Sequence, residues 1–162
     1  MNAILDQPRR LLALIAVACV ALLAFGLYLQ HAIGLEPCPM CIVQRYLFIL
    51  VALAAGIGAA LPSCATRWSA GVMALLSLTG AGVAARQSWL QWFPPEVTTC
   101  GRDLFGMIES FPLKRVIPMV FRGSGDCSAV DWTFLGLSIA NWSFLNFVLV
   151  GAIGLALLLR RR

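Results

Sequence analysis

Charge is what this chain has least of: 12% of its 162 residues are Asp, Glu, Lys or Arg, against 60% hydrophobic. With a mean hydropathy of +0.88, the balance is too apolar for a soluble domain of this size and points to a membrane protein. Histidine is scarcer still. His31, the only one, stands at the outer end of the first apolar run, where an interfacial polar residue is a simpler reading than a metal ligand. No segments of alternating polarity appear, which disfavours a transmembrane β-barrel. The first apolar run is 19 residues long and no A-x-A-like cleavage site follows it, so it reads as a retained span. Internal repeats and low-complexity segments are absent. The net charge is +5, but its arginines flank the membrane and form no basic patch with interleaved aromatics, so a nucleic-acid partner is not expected.

What is present is four runs free or nearly free of charge, at 11–29, 46–61, 68–85 and 141–159. Each is close to the ~20 residues a helix needs to cross a ~30 Å hydrocarbon core. The expected fold is therefore an all-α membrane protein: a four-transmembrane-helix bundle, one integral domain over 1–162, with outer loops at about 30–45 and 86–140. Arg9, Arg10, Arg67 and Arg160 to Arg162 crowd the short pieces on the other side, which puts both termini in the cytoplasm. Within the long loop, Leu113, Val116, Ile117, Val120 and Phe121 recur at helical spacing with Lys114 and Arg115 off the stripe. That pattern suits a short helix lying along the membrane surface. Pro118 would interrupt it, and a loop segment packed on the bundle accounts for it equally well.

The six cysteines sort by this topology. Cys38 and Cys41 form a Cys-x-x-C pair in the first outer loop, Cys100 and Cys127 bracket the second, Cys19 lies mid-span and Cys64 in the inner turn. Such a pair either binds metal or cycles between dithiol and disulfide. Pro37 and Pro39 precede the second helix, so Cys41 falls in or just before its first turn, where the helix N-terminus favours a thiolate. Arg45, four residues on, projects from the same face and can stabilise that thiolate or hydrogen-bond an oxygen of something bound beside it. It can equally snorkel as a helix-end anchor. Cys100 and Cys127 enclose 26 residues, which is no zinc-ribbon spacing; without a second Cys-x-x-C or a neighbouring histidine, no metal site is expected. Alone they would read as a stapling disulfide. Beside a Cys-x-x-C in a facing loop, they read as a second pair able to exchange disulfides with the first. Cys19, among aliphatic neighbours, reads as a buried, inert thiol.

The "CPMCIVQR" tract, "TTC" and "GSGDC" around the second outer loop, and "WTFLGLS" after it resemble the bacterial DsbB family of quinone-linked disulfide-bond formation proteins. The resemblance covers nearly the whole chain. It implies a protein-disulfide oxidoreductase of the bacterial inner membrane, with its active cysteines periplasmic, that reoxidises a DsbA-type thioredoxin-fold protein and passes the electrons to ubiquinone or menaquinone in the lipid bilayer. It implies Cys38 and Cys41 as the quinone-proximal pair, Cys41 facing the quinone and Arg45 assisting. Cys100 and Cys127 become the pair that oxidises the partner, with Cys100 forming the mixed disulfide and a transient Cys38–Cys127 bridge linking the pairs. One departure stands out. Where some members carry a histidine beside the quinone, this chain has Gln87, which can donate a hydrogen bond to a quinone oxygen but supplies neither proton nor charge. The rival readings are a membrane metal-binding protein and a structural subunit held by stapling disulfides. A vitamin-K-epoxide-reductase-type enzyme would carry its Cys-x-x-C near the outer end of the last span, which here has no cysteine.

Overall fold

The computed structural model describes residues 7–61, 63–94, 128–130 and 132–159, with the side chains of 63–65 excepted. Four helices make up most of it: α1 (Pro8–Ala32), α2 (Pro39–Ala60), α3 (Ser63–Trp92) and α4 (Ile139–Leu159). All four are long and apolar enough to span a membrane. They carry no single polar face, and large side chains such as Val17, Leu53, Leu75, Leu78 and Leu149 point outward, as lipid requires and water would penalise. This is the four-helix membrane bundle expected from the charge-free runs.

The helices outrun those runs at the end that carries Cys38 and Cys41, the outer end in the expected topology. Arg45 ends the second charge-free run and Arg86 the third, yet the helices carrying them continue from Pro39 and to Trp92. A charge at the interfacial end of a span snorkels and does not break the helix. The consequence is functional: Cys41, Arg45 and Gln87 sit on rigid helix and not on loop.

Packing proceeds in sequence, α1 on α2, α2 on α3 and α3 on α4, while α1 and α4 share almost no contact. The bundle is thus an arc with a gap between its first and last helices. Its core joins Leu12, Ile15 and Cys19 of α1 to Leu47, Phe48, Val51 and Ala55 of α2, Met73, Ala81 and Ala84 of α3, and Phe147 and Val150 of α4. Cys19 is buried there as expected, at 1% exposure. Small residues set the spacing, as is common where lipid supplies no hydrophobic drive between helices. The Phe147 ring, stacked on Phe48 with centroids 4.1 Å apart, lies where a Cβ on Gly80 would be. On the inner side Thr66 Oγ1 donates to the Gly58 carbonyl at 3.2 Å, and Ser69 Oγ donates to that of Ala54. Arg9 reaches from α1 to the carbonyls of Ala59 and Ala60 at 2.9 and 3.0 Å, satisfying acceptors that the end of α2 leaves open.

The one departure from all-helical structure among the described residues is a two-stranded hairpin, β1 (Thr133–Phe134) and β2 (Leu137–Ser138), paired Thr133 to Ser138 and Phe134 to Leu137. Leu135 and Gly136 form its turn with φ of 53° and 79°, the two left-handed residues of a type I′ hairpin. Glycine takes that backbone freely and leucine does not, so the neighbours must hold Leu135 there. They do: Trp142 Nε1 donates to the Phe134 carbonyl at 3.1 Å, and Ser138 Oγ donates to Gln91 Oε1 at 2.6 Å. Ser138 also caps α4, accepting from Asn141 N at 3.4 Å. The hairpin is thereby tied to the outer ends of both α3 and α4. Cys100, Cys127 and the 113–121 stripe lie outside the described residues.

Candidate functional site

Cys38 is the N-cap of α2, and Pro39 takes the first helical position, where its fixed φ fits and its missing N–H costs nothing. An N-cap side chain ordinarily offers an oxygen to the third residue's N–H. Here a sulfur does so: Cys38 Sγ accepts from Cys41 N at 3.2 Å. The same turn brings the two sulfurs to 2.7 Å from each other, a short step from the ~2.05 Å of a disulfide. The cap thus places the pair at the positive end of α2, with its sulfurs already facing.

Gln87 reaches the pair from α3. Its Nε2 donates to Cys41 Sγ at 3.1 Å and to Cys38 Sγ at 3.3 Å. Its Oε1 accepts from Gln44 Nε2 at 2.6 Å. Gln87 thus lies beside the Cys38–Cys41 pair, with its amide nitrogen aimed at sulfur. Arg45 lies one turn along α2 from Cys41 and is half-buried. Its Nη1 donates to Gln30 Oε1 at 2.5 Å and its Nη2 to the Gly26 carbonyl at 3.2 Å, both on α1. The Cys38 thiol is pushed up by its hydrogen bond with Cys41 and by burial, which keeps a proton on that sulfur.

All four residues line one cavity of about 510 Å³. Its walls are mostly apolar, with Leu22, Phe25 and Leu29 from α1, Phe48 from α2 and Ile139 and Trp142 from α4. Trp132 and Phe134 of the hairpin segment add a wall of aromatic rings, Trp132 edge-on to Phe25 with centroids 5.8 Å apart. Polar groups converge at the sulfur end, namely Arg45, Gln30, Gln44 and Gln87, with Gln91, Ser138 and Asn146 further round. Arg45 is the one cation among the described lining residues. An apolar chamber with a few convergent polar groups is the usual form of a small-molecule site. It lies between α1 and α4, the two helices that share almost no contact. His31, exposed at the end of α1, is not among the residues lining it.

That sulfur pair, capping a helix on the wall of a membrane cavity, is matched by relationship. The profile of the family described as "Disulfide bond formation protein DsbB" matches residues 8–157. The chain belongs to the DsbB family. It is 67% identical over 155 residues to "Disulfide bond formation protein B" of Polaromonas sp. (strain JS666 / ATCC BAA-500), covering 95% of this chain and 92% of that one. The protein of the same name from Verminephrobacter eiseniae (strain EF01-2) is 65% identical over 98% of this chain and 90% of its own. That from Azoarcus sp. (strain BH72) is 56% identical over 98% and 97%. Family membership and four spanning helices make this a multi-pass membrane protein of disulfide-bond formation, with thiol–disulfide oxidoreductase activity.

Several site residues escaped the sequence reading. Gln44 carries one visible signal, an uncharged polar residue three positions from Cys41 and next to Arg45 in a largely apolar helix, the kind of intramembrane polar group that calls for a function. Gln30 and the Gly26 carbonyl, which hold Arg45, and the Gln91–Ser138 contact leave no comparable mark.

Proposed function

We propose that this chain reoxidises a periplasmic DsbA-type thioredoxin-fold protein and delivers the electrons to a membrane quinone, ubiquinone or menaquinone. The observation that carries the proposal is the Cys38–Cys41 sulfur pair lying on an apolar cavity between membrane-spanning helices, with Arg45 beside it. The cavity would suit a quinone ring: Phe25, Trp132, Phe134 and Trp142 line it with aromatic surface, and Arg45 offers N–H donors at the polar end. Both termini are cytoplasmic in this reading and all four active cysteines periplasmic.

The chemistry runs as successive thiolate attacks. A thiolate of the reduced partner attacks Cys100 of the Cys100–Cys127 disulfide, forming a mixed disulfide and releasing Cys127 as thiolate. Cys127 then attacks Cys38, making the Cys38–Cys127 bridge and releasing Cys41 as thiolate. The partner's second thiol resolves the mixed disulfide, leaving the partner oxidised and Cys100 free. Cys100 attacks Cys127, restoring the Cys100–Cys127 bond and leaving Cys38 and Cys41 reduced. The partner's two electrons now rest on the pair beside the cavity. A bound quinone would supply the sink for two electrons and two protons, one proton coming from Cys38 and the other from the aqueous side. Cys38 holds one proton, Arg45 and the Gln87 amide offset the negative charge on Cys41, and the apolar walls keep bulk water from the reactive sulfur.

The test is to mix detergent-purified protein with a reduced thioredoxin-fold oxidase and a soluble quinone. Thiol loss and quinone reduction should advance together, one quinone for each disulfide formed. Thiol loss with no quinone reduction would sink the proposal. Cysteine labelling from outside the cell that reached Cys64 would overturn the orientation.

A further inference from the structure

Gln44 and Gln87 are each 3% exposed, and nothing in the reaction just described needs Gln44. A primary amide is a two-ended group: turned one way it offers N–H, turned the other way a carbonyl oxygen. Against a sulfur bearing negative charge only the first is favourable, and in a buried setting the difference is large because water cannot compensate. What holds the Gln87 amide the right way round is Gln44, whose Nε2 donates to Gln87 Oε1 at 2.6 Å. If Gln87 alone rotated, its nitrogen would face the Gln44 nitrogen, donor against donor. If both rotated, Gln87 would present oxygen to the sulfurs, which suits an S–H but neither a thiolate nor a disulfide.

We propose that Gln44 is a positioning residue: by fixing the Gln87 amide with its N–H groups on Cys38 and Cys41, it sets the reduction potential of that pair. The inference rests on the pair being the redox couple proposed above. Opening the Cys38–Cys41 disulfide takes up two electrons and one proton when it yields a Cys38 thiol and a Cys41 thiolate. A thiolate is a far better hydrogen-bond acceptor than a disulfide sulfur, so the Gln87 donors favour the reduced form and make the disulfide more oxidising. The same logic makes a stabilised reduced form the mark of a strong thiol oxidant. The other ionisable groups lining the cavity among the described residues are Glu36 and Arg45, the latter bonded to Gln30 and the Gly26 carbonyl and not to Gln44.

The experiment is a double-mutant cycle on the full-length protein carrying Cys100→Ser and Cys127→Ser, so that the remaining outer pair reports alone. Gln44→Met and Gln87→Met keep the length of the side chain and remove the amide; Gln44→Leu serves if the first does not fold. Each protein is equilibrated without air or quinone in dithiothreitol or glutathione buffers, trapped by alkylation, and read by mass spectrometry. Gln87→Met should shift the equilibrium about tenfold toward the disulfide, or ~30 mV lower in potential. Gln44→Met should do nearly the same alone and add nothing in the Gln87→Met background. A Gln44 effect of equal size with and without Gln87 would mean a general packing role and overturn the proposal, as would no effect at all. If the parent pair does not titrate as a couple, the functional reading itself falls.

Discussion

In the proposed pathway, replacing Arg45 should separate the two halves of electron transfer, because its guanidinium lines the cavity beside the Cys38–Cys41 pair. It has five N–H donors; Nη1 is committed to Gln30 and Nη2 to the Gly26 carbonyl. The donors left over belong to a cation on the cavity wall, one helical turn from Cys41. Arg45→Ala removes that charge and at least one hydrogen bond to whatever oxygen occupies the cavity, a loss of roughly 1.5–3 kcal/mol for a charged donor. If the whole loss falls on the barrier to quinone reduction, the rate drops by about 10- to 150-fold. Arg45→Lys keeps the charge but not the planar fork, and belongs at the mild end of that range. Thiol exchange between Cys100 and the partner should keep its rate in both variants. Stopped-flow records of quinone absorbance and of mixed-disulfide formation make the comparison. Equal slowing of the two would refute the reasoning: Arg45 would then be a clamp holding α1 to α2, a role its two bonds to α1 could serve, and no part of the quinone site.

Cys100→Ser should show the opposite pattern, abolishing oxidation of the partner while the chemically reduced Cys38–Cys41 pair still gives its electrons to quinone; loss of both activities would count against separate pairs. In the reduced protein iodoacetamide should label Cys41 before Cys38 near neutral pH, since the raised Cys38 thiol stays protonated there, and Cys38 should gain on it only as pH climbs past the ordinary thiol range of ~8.5. Peptide mapping that found Cys38 alkylated first would reverse the assignment of the proton. Gly80→Ala drives a methyl into the Phe147 ring and should cost about 1–3 kcal/mol by overpacking, whereas Gly56→Ala, with no neighbour within 4 Å, should leave the detergent unfolding midpoint unchanged or slightly raised.

Much of this arrangement was legible in the residues and some of it was not, for identifiable reasons. Charge-free length alone gave the four spans, because a helix crossing lipid has little freedom in composition. It misplaced their outer ends, because Arg45 and Arg86 interrupt hydropathy without interrupting the helix. The prolines around Cys38 marked the helix start, and the spacing of four between Cys41 and Arg45 put both on one face. By contrast, the Gln44–Gln87 contact depends on how deep and how rotated α2 sits against α3, which no periodicity within either helix records. The hairpin at Thr133–Ser138 was hidden by its shortness and by a leucine at a left-handed position, where turn chemistry would call for asparagine or glycine. The opposite end of the proposed pathway, Cys100, Cys127 and the 113–121 stripe, lies outside the described residues.

The central claim is that the Cys38–Cys41 pair delivers its electrons to a quinone. A single-turnover experiment tests it most directly: the protein carrying Cys100→Ser and Cys127→Ser is reduced, freed of reductant, and mixed without air with one equivalent of a soluble quinone. One quinone should be reduced per protein, with a Cys38–Cys41 disulfide recovered by mass spectrometry, and adding Cys41→Ser should abolish the reaction. Quinone reduction that survives Cys41→Ser, or a reduced pair left unchanged by quinone, would contradict it.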